Sequence, residues 1–297
     1  MTLLSPATTA WTSERGRLLG IAYRMLGDFG HAEDVVSEVA IEALRQEQTA
    51  EREVRSWPAL LTTICVRRSI DRLRAQIAVR EDYTGHWLPE PVAVERLPED
   101  AAADRELLSF ALLHLAEQLA PEARAAVVLH RAFGMAAGEI GEILERSPAA
   151  VRQLISRAER RLRLEEGVRA TRAPARAMLE QLVAAVEGGD IEGVVAMLRD
   201  DAILWADGGG VVSSALNPLF GPEKIARFLH GVLEIARTYD PERPLQVSVI
   251  EANGEAALML HYGGRATFTT FELDDAGMIL GIRQVANPAK LQRIAMS

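Results

Sequence analysis

The spacing of apolar residues changes along the chain and separates three segments. Residues 11–80 carry apolar side chains at intervals of three and four, the period of an amphipathic helix, and residues 104–165 repeat that period. After residue 176, two helical runs give way to short alternating segments that predict strands. These segments read AILWA, LQVSVI, EAALMLHY, RATFTTFEL and MILGIRQV, with one helix among them and turn signals such as Asn253-Gly254. The pattern predicts two all-α domains followed by an α+β domain.

Proline and charge place the boundaries between these segments. Residues 82–103 hold three Pro among acidic residues and predict a linker without regular structure. A charged, Ala-rich stretch at 166–176 predicts a second linker. The expected domains are therefore residues 1–81, 104–165 and 177–297.

The composition narrows the class of protein. The sequence has no run of the roughly 20 apolar residues that a membrane helix needs, and its start lacks a basic stretch before an apolar core. We therefore expect a cytoplasmic protein. The single cysteine, Cys65, excludes an internal disulfide and a cysteine-built zinc site, and we expect it to be a small buried side chain. We expect neither a metal nor a cofactor.

The second helical segment has the spacing of a helix-turn-helix. Pro121 and Gly134 bound one helix, a short helix follows, and Ser147-Pro148 can cap a third. Apolar residues of the third helix fall on one side, whereas its other side carries Arg152, Gln153, Ser156, Arg157 and Arg160. Arg and Gln can bond base edges, and Arg can also hold phosphates. The alternative is a solvated arginine-rich face on an ordinary bundle helix.

A second basic helix ends the first segment. Between Arg67 and Arg80 there are five Arg and one Asp, although the whole chain has a net charge of −9. The negative net charge argues against a protein that coats nucleic acid through bulk charge. An interaction with DNA is indicated instead by the concentration of arginine on single helices. We expect the outer arginines of this helix to contact DNA phosphates: Arg67, Arg68, Arg72 and Arg74.

Asp34, Glu38 and Glu42 form an acidic stripe at intervals of four residues in the helix that precedes it. Like charges at this spacing cost about a few tenths of a kcal/mol per pair, which a docking surface for a basic partner would explain. A solvated acidic face is the alternative. No pocket-forming pattern accompanies the stripe to support a catalytic or metal site.

Two ordered strings resemble a known family. The strings IAYRMLGDFGHAEDVVSEV and SWPALLTTICVRRSIDRLR resemble region 2 of extracytoplasmic-function (ECF) sigma factors, and LAPEARAAVVLHRAFGMAAGEIGEILERSPAAVRQLISRAERRLR resembles their region 4. The resemblance implies an alternative sigma factor that binds core RNA polymerase and promoter DNA and is not an enzyme. It places polymerase docking on Glu33, Asp34, Ser37 and Glu38, although many members have Gln at the position of Ser37. The arginine-rich helix would open the minus-ten element, and the helix from Ser147 would read the minus-thirty-five element.

Three further motifs resemble the SigJ-type subgroup of these factors, which carries a fused SnoaL-like domain of cone-shaped α+β fold. They are WLPEP in the linker, Asp-Gly-Gly-Gly at 207–210 and Asn-Pro-x-Lys at 287–290, with Val211 where the subgroup has Lys. The resemblance implies regulation in cis, through an intramolecular contact between this domain and the linker or sigma domains. The expected contact residues are Trp87, Pro89, Asp207, Gly208, Gly209, Gly210, Asn287 and Pro288.

Two other functions stay open at this point. A helix-turn-helix repressor could sense an unidentified small-molecule ligand with the C-terminal domain, or that domain could be a cyclase or isomerase, as related folds are. Catalysis needs ionisable groups gathered in one pocket. The candidate pocket residues are Trp205, Asp207, His230, His261, Tyr262 and Arg265.

Overall fold

The computed structural model describes residues 5–49, 54–80, 82–93, 109–166, 174–240, 242 and 244–294. They divide into two compact units. The first unit holds the described residues up to 80 together with 112–166, and the second holds 82–93, 109–111 and everything from 174 onward. The described part of the linker therefore belongs to the same unit as the C-terminal domain.

Three helices form a bundle in the first unit: α1 (Pro6–Leu26), α2 (Phe29–Thr49) and α3 (Trp57–Arg80). Ser5 caps α1 by accepting a hydrogen bond from the Thr8 N–H, and Gly27 ends the helix with φ of 64°. Cys65 is fully buried between helices, as expected, and burial raises the pKa of its thiol to about 12.

Four helices form the helix-turn-helix domain: α4 (Phe110–Ala116), α5 (Pro121–Phe133), α6 (Ala137–Leu144) and α7 (Pro148–Glu166). Gly134 ends α5 in the left-handed region with φ of 62°. The turn before α7 is tight, because a Cβ on Gly141 would stand 2.6 Å from the Arg146 carbonyl oxygen. The predicted order and starts of α5, α6 and α7 are confirmed, whereas α4 was not predicted as a separate helix.

The C-terminal domain is α+β. Its elements are α8 (Arg176–Glu187), α9 (Ile191–Met197), β1 (Leu198–Asp207), β2 (Leu219–Phe220), α10 (Pro222–Thr238), β3 (Gln246–Ala252), β4 (Glu255–Tyr262), β5 (Arg265–Leu273), β6 (Ile279–Val285) and α11 (Pro288–Leu291). The strands form one sheet in the order β2-β1-β6-β5-β4-β3, and only the β1–β6 pair among them is parallel. The two short elements β2 and α11 were not among the predictions, because four or fewer residues show no periodicity.

Both faces of the sheet are covered. Helices α8, α9 and α10 pack on one face, where Phe271 lies, and Phe268 of the same strand lies on the opposite face. That second face packs against Leu88 of the linker, Phe110 and the C-terminal residues from α11 onward. Because both faces are covered, polar side chains such as Thr269, Thr270 and Arg283 are buried beside apolar ones, and β5 and β6 therefore lack a clean alternation.

Among the described residues, no helix combines the length and the apolar character needed to span a membrane.

Candidate nucleic-acid interface and linker clasp

Helix α7 presents one apolar face and one free polar face. Its apolar residues Val151, Ile155, Ala158 and Leu162 are buried in the domain. The predicted DNA-contacting residues of the opposite face are all exposed: Arg152, Gln153, Ser156, Arg157 and Arg160. Ser147 caps the helix as predicted, because its hydroxyl accepts a hydrogen bond from the Ala150 N–H at 3.2 Å. The arginines of this face make no ion pair with any described residue, so they remain available to an anionic partner.

The arginines of α3 differ from those of α7, because each has a carboxylate partner. Arg67 Nη2 lies 2.8 Å from Glu145 Oε1, and Arg74 Nη2 lies 2.5 Å from Glu122 Oε1, both in the helix-turn-helix domain. The other two contact the three-helix bundle itself. Arg68 lies 3.7 Å from Glu42, and Arg72 lies 2.8 Å from Glu38 and 3.6 Å from Asp34.

The acidic stripe on α2 therefore has an explanation inside the chain. Arg72 stands between Asp34 and Glu38, so the repulsion between like charges is offset without a partner protein. Both carboxylates are still reachable, with side chains 62% and 40% exposed. Ser37 is exposed, and its hydroxyl donates to the carbonyl oxygen of Glu33 at 2.9 Å. The four predicted docking residues thus lie on one surface of α2, where Arg72 offsets part of the negative charge of Asp34 and Glu38.

The Asp207 carboxylate is fully buried and holds the linker onto the C-terminal domain. Its Oδ1 accepts from the Tyr83 hydroxyl at 2.6 Å, and its Oδ2 accepts from the Leu88 N–H at 2.9 Å. Lys290 Nζ lies 2.6 Å from the same Oδ2 and donates to the Leu88 carbonyl oxygen at 2.5 Å. The ammonium group also faces the ring of Trp87, 4.1 Å from its centroid. One buried ion pair therefore satisfies both backbone groups of Leu88.

The rest of the described linker is held by two further contacts. Glu90 pairs with Arg293 at 2.9 Å. The Val92 N–H donates to the Asn253 side-chain oxygen at 3.0 Å, and the Asn253 N–H donates back to the Val92 carbonyl at 2.9 Å. We call the domain side of these contacts the clasp: Asp207, Asn253, Asn287, Lys290 and Arg293. Residues 88–93, which include Pro89, are buried against it although they form neither helix nor strand.

The glycine-rich turn after β1 has no room for side chains. A Cβ on Gly208 would stand 2.2 Å from the Val212 carbonyl oxygen, and one on Gly209 would stand 2.3 Å from the Asn287 amide nitrogen. Gly210 adopts φ of 71° and faces Thr84 of the linker. Asn287 caps α11, whose first residue is Pro288, and donates to the Tyr83 hydroxyl at 2.9 Å. The turn thus lies against Asn287, which in turn contacts Tyr83 of the linker. Val211, where the subgroup has Lys, is 73% exposed.

The six residues proposed for a catalytic pocket do not all come together in one cavity. The cavity between the sheet and helices α8 and α10 is lined by apolar side chains with Thr269 and Gln284, and none of the six candidates lines it. Trp205 packs on the opposite face of the sheet, and Asp207 belongs to the clasp. The three candidates His261, Tyr262 and Arg265 line a separate surface cleft. The cavity between the sheet and helices α8 and α10 measures about 50 Å³, well below the roughly 300 Å³ at which pockets for drug-sized ligands begin.

Sequence reasoning missed several residues of the clasp. Tyr83, Asn253 and Arg293 were not singled out, and Lys290 was noted as part of a motif without a role. The available signal was the pair of aromatic residues, Tyr83 and Trp87, in a segment predicted to be an irregular linker, because exposed linkers rarely carry large apolar side chains. Asn253 was recognised for its turn, which it does form with φ of 54°. That its buried side chain accepts a hydrogen bond from the Val92 N–H can be seen only from the packing.

Comparison with known proteins identifies the sigma domains. Residues 11–77 match the family described as Sigma-70 region 2, and residues 109–162 match Sigma-70, region 4. The ECF RNA polymerase sigma factor SigJ of Mycobacterium tuberculosis is 34% identical over 225 residues, which cover 74% of this chain and 71% of that protein. The probable ECF sigma factor SigI of the same organism is 29% identical and covers 65% of this chain and 67% of its own length.

The fold agrees over the full length. The crystal structure of Mycobacterium tuberculosis SigJ is 28% identical and superimposes with a TM-score of 0.74, covering 97% of this chain and 99% of that one. The C-terminal domain has the expected α+β fold. These relatives are sigma factors and not enzymes, and they favour neither the repressor nor the cyclase or isomerase. The chain belongs to the extracytoplasmic-function RNA polymerase sigma factors, the alternative sigma factors that bind core polymerase and promoter DNA.

Proposed function

We propose that this sigma factor is regulated in cis: its C-terminal domain holds the region 2 to region 4 linker in the clasp and so limits promoter engagement. Helix α2 docks on core polymerase, α3 acts at the minus-ten element, and α7 reads the minus-thirty-five element. The protein works in the cytoplasm, where polymerase and chromosome meet. The observation that carries the regulation is the buried Asp207 carboxylate, which binds the linker at Tyr83 and Leu88.

The linker is a good point of control because its free length sets how far the two DNA-binding regions can separate. Residues 82–93 are held by the clasp. An extended chain spans about 3.5 Å per residue, so release of these residues adds up to about 40 Å of reach. That is a large fraction of the separation between two promoter elements. Docking and release of the linker can therefore decide whether both elements are bound together.

A weak contact is sufficient for this control, because the domain and the linker are parts of one chain. Short tethers give effective concentrations near millimolar, so the clasp is occupied without a separate regulator. The buried pair Asp207–Lys290 makes occupancy sensitive to single substitutions. Loss of one partner leaves the other charge buried without compensation, which costs about 3–5 kcal/mol. A single change in the clasp therefore tests the proposal.

Run-off transcription with purified core polymerase and the chain's own upstream region tests it. We expect Asp207→Ala to raise transcription and to make the linker sensitive to protease, and Lys290→Met to act in the same direction. Asp275→Ala, an exposed acid in the turn before β6, is the matched control and should change neither. Asn253→Gly keeps the positive φ of the turn but removes the acceptor of the Val92 N–H, so it loosens the linker with little risk to the sheet.

The outcomes separate the steps of the proposal. A linker that stays protected in Asp207→Ala shows that the clasp does not depend on this carboxylate. A linker that is released while transcription stays at the wild-type rate shows that the clasp is structural and not regulatory. Thermal unfolding of each full-length variant checks that the domains remain folded.

A further inference from the structure

Two of the four α3 arginines that are assigned to the minus-ten element, Arg67 and Arg74, contact carboxylates of region 4. Arg67 donates to the Glu145 carboxylate at 2.8 Å and to the Ile143 carbonyl oxygen at 3.3 Å. Arg74 donates to Glu122 in the first turn of α5 at 2.5 Å. Glu145 ends α6 two residues before Ser147, the cap of α7. The turn that precedes the reading helix of region 4 therefore lies against the basic helix of region 2.

A second, buried set of contacts joins the same two regions. Glu117 of region 4 accepts from Arg80 of region 2 and from Arg124 of region 4, and Arg124 Nε donates to the Arg24 carbonyl oxygen at 3.2 Å. Arg124 is 1% exposed, and burial lowers the pKa of its guanidinium to about 9. Its Nη2 is buried without a hydrogen-bond acceptor among the described residues. Charged groups thus hold part of this joint, and one of them is incompletely satisfied.

This arrangement is incompatible with simultaneous contact to both promoter elements. Positions −10 and −35 lie 25 base pairs apart, which is about 85 Å of B-form DNA at 3.4 Å per pair. Helix α7 has 19 residues and is about 28 Å long, so it cannot bridge that distance while Glu145, just before it, is held on α3. The two regions must separate before α3 and α7 can reach their elements. Glu122 and Glu145 meanwhile bind the guanidinium groups of Arg74 and Arg67, which phosphates would otherwise bind.

We infer that these contacts form a latch that keeps the free sigma factor closed and that promoter phosphates compete for its arginines. The latch consists of Arg67–Glu145, Arg74–Glu122 and the buried joint of Arg80 and Arg124 on Glu117. The inference rests on the proposed roles of α3 and α7 in promoter binding. It differs from the clasp, since it lies wholly between region 2 and region 4. Because the surface pairs are half exposed, salt and polyanions should both open the latch.

Distance measurements on spin-labelled full-length protein test the latch directly. Ala75→Cys on α3 and Ala149→Cys on α7 place labels at exposed positions in the two regions, and the buried Cys65 can remain because its thiol does not react. We expect one short, narrow distance in the otherwise unchanged chain. Glu122→Gln with Glu145→Gln should add long distances, as should high salt. Glu142→Gln with Glu192→Gln removes the same charge from exposed positions outside the latch and should leave the distance short.

Transcription by the same variants separates the latch from the proposed DNA contacts. Opening by Glu122→Gln with Glu145→Gln should lower the sigma concentration for half-maximal transcription about two- to fivefold, the range expected from two surface pairs. Arg67→Ala with Arg74→Ala should open the chain equally but transcribe less. Unchanged distances in the glutamine variant overturn the latch, and so does opening without any gain in transcription. If the alanine variant opens and transcribes as well as the glutamine variant, the latch stands and the minus-ten assignment fails.

Discussion

His86 is a titratable residue of the linker that lies beside the clasp. Its pKa is lowered, first by burial and then by the positive charges of Arg283 and Lys290, while Asp207 acts in the opposite direction. A histidine whose folded pKa lies below its unfolded value of 6.5 binds fewer protons when the linker is docked. Its contribution to docking is therefore complete above pH 6.5 and is lost as the pH falls from that value towards the lower folded pKa. At the residue scale, docking of the linker is thus coupled to acidity.

We predict that docking weakens on acidification and that His86→Gln removes most of this dependence. The measurement is hydrogen exchange of the Leu88 and Val92 amides, which donate to Asp207 and Asn253, corrected for the intrinsic rate at each pH. Protection should fall below about pH 6.5 in the unchanged chain and stay nearly constant in the variant. Equal falls in both proteins would assign the pH dependence to another group.

At the scale of elements, local sequence was sufficient for nearly all helices and strands. Strands β4 and β5 have the predicted bounds. Asn253-Gly254 fixes where β4 begins, and the Gly pair before Arg265 fixes where β4 ends and β5 begins. Helices α5, α6 and α7 begin and end at the expected breakers. Strand β1 is longer than predicted, since its first residues Leu198–Asp201 are polar except for Leu198 and give no apolar alternation. Its extension is fixed by pairing with β6 and not by its own pattern.

Helix α7 carries a prediction of its own. Arg152→Ala and Arg160→Ala should each weaken promoter binding, because both side chains are exposed on the polar face of the helix. A lost phosphate contact lowers the slope of log binding affinity against log salt concentration by about one. A lost base contact instead costs roughly 1 to 3 kcal/mol of binding free energy and relaxes specificity at one position. Salt titrations of holoenzyme on promoter DNA distinguish the two. Arg176→Ala, an exposed arginine outside the sigma regions, serves as the control. Wild-type binding by both α7 variants across the titration would remove this helix as the reader.

At the scale of the whole molecule, the chain has to exchange internal charge pairs for contacts with its partners. Arg67 and Arg74 exchange glutamates for phosphates if the latch opens as inferred. Asp34 and Glu38 would exchange Arg72 for a basic surface of polymerase. Internal partners reduce the energetic cost of an exposed charged surface, and partly exposed pairs are weak enough to be replaced. Binding should therefore be sensitive to ionic strength at each of these surfaces.

We predict that Asp34→Asn with Glu38→Gln weakens copurification with core polymerase while the chain stays folded. Neutral substitutions are preferable to charge reversal, because lysines at these positions would repel Arg72 and disturb the bundle. Glu42→Gln changes the same helix one turn later, where the carboxylate pairs with Arg68, and should have the smaller effect. If the double variant retains full affinity for polymerase, docking does not use the acidic stripe.

Local structure and family could be predicted from the amino-acid sequence, because apolar period, helix caps and turn residues act over a few neighbouring positions. Motifs also marked Asp207 and Asn287. The partners of the charged residues, in contrast, follow only from the folded structure. Tyr83 meets Asp207 across 124 positions, and Arg67 meets Glu145 across 78. Such pairs leave no local trace, since a buried or half-buried charge is read from sequence as a solvated one until packing brings its partner within hydrogen-bond distance.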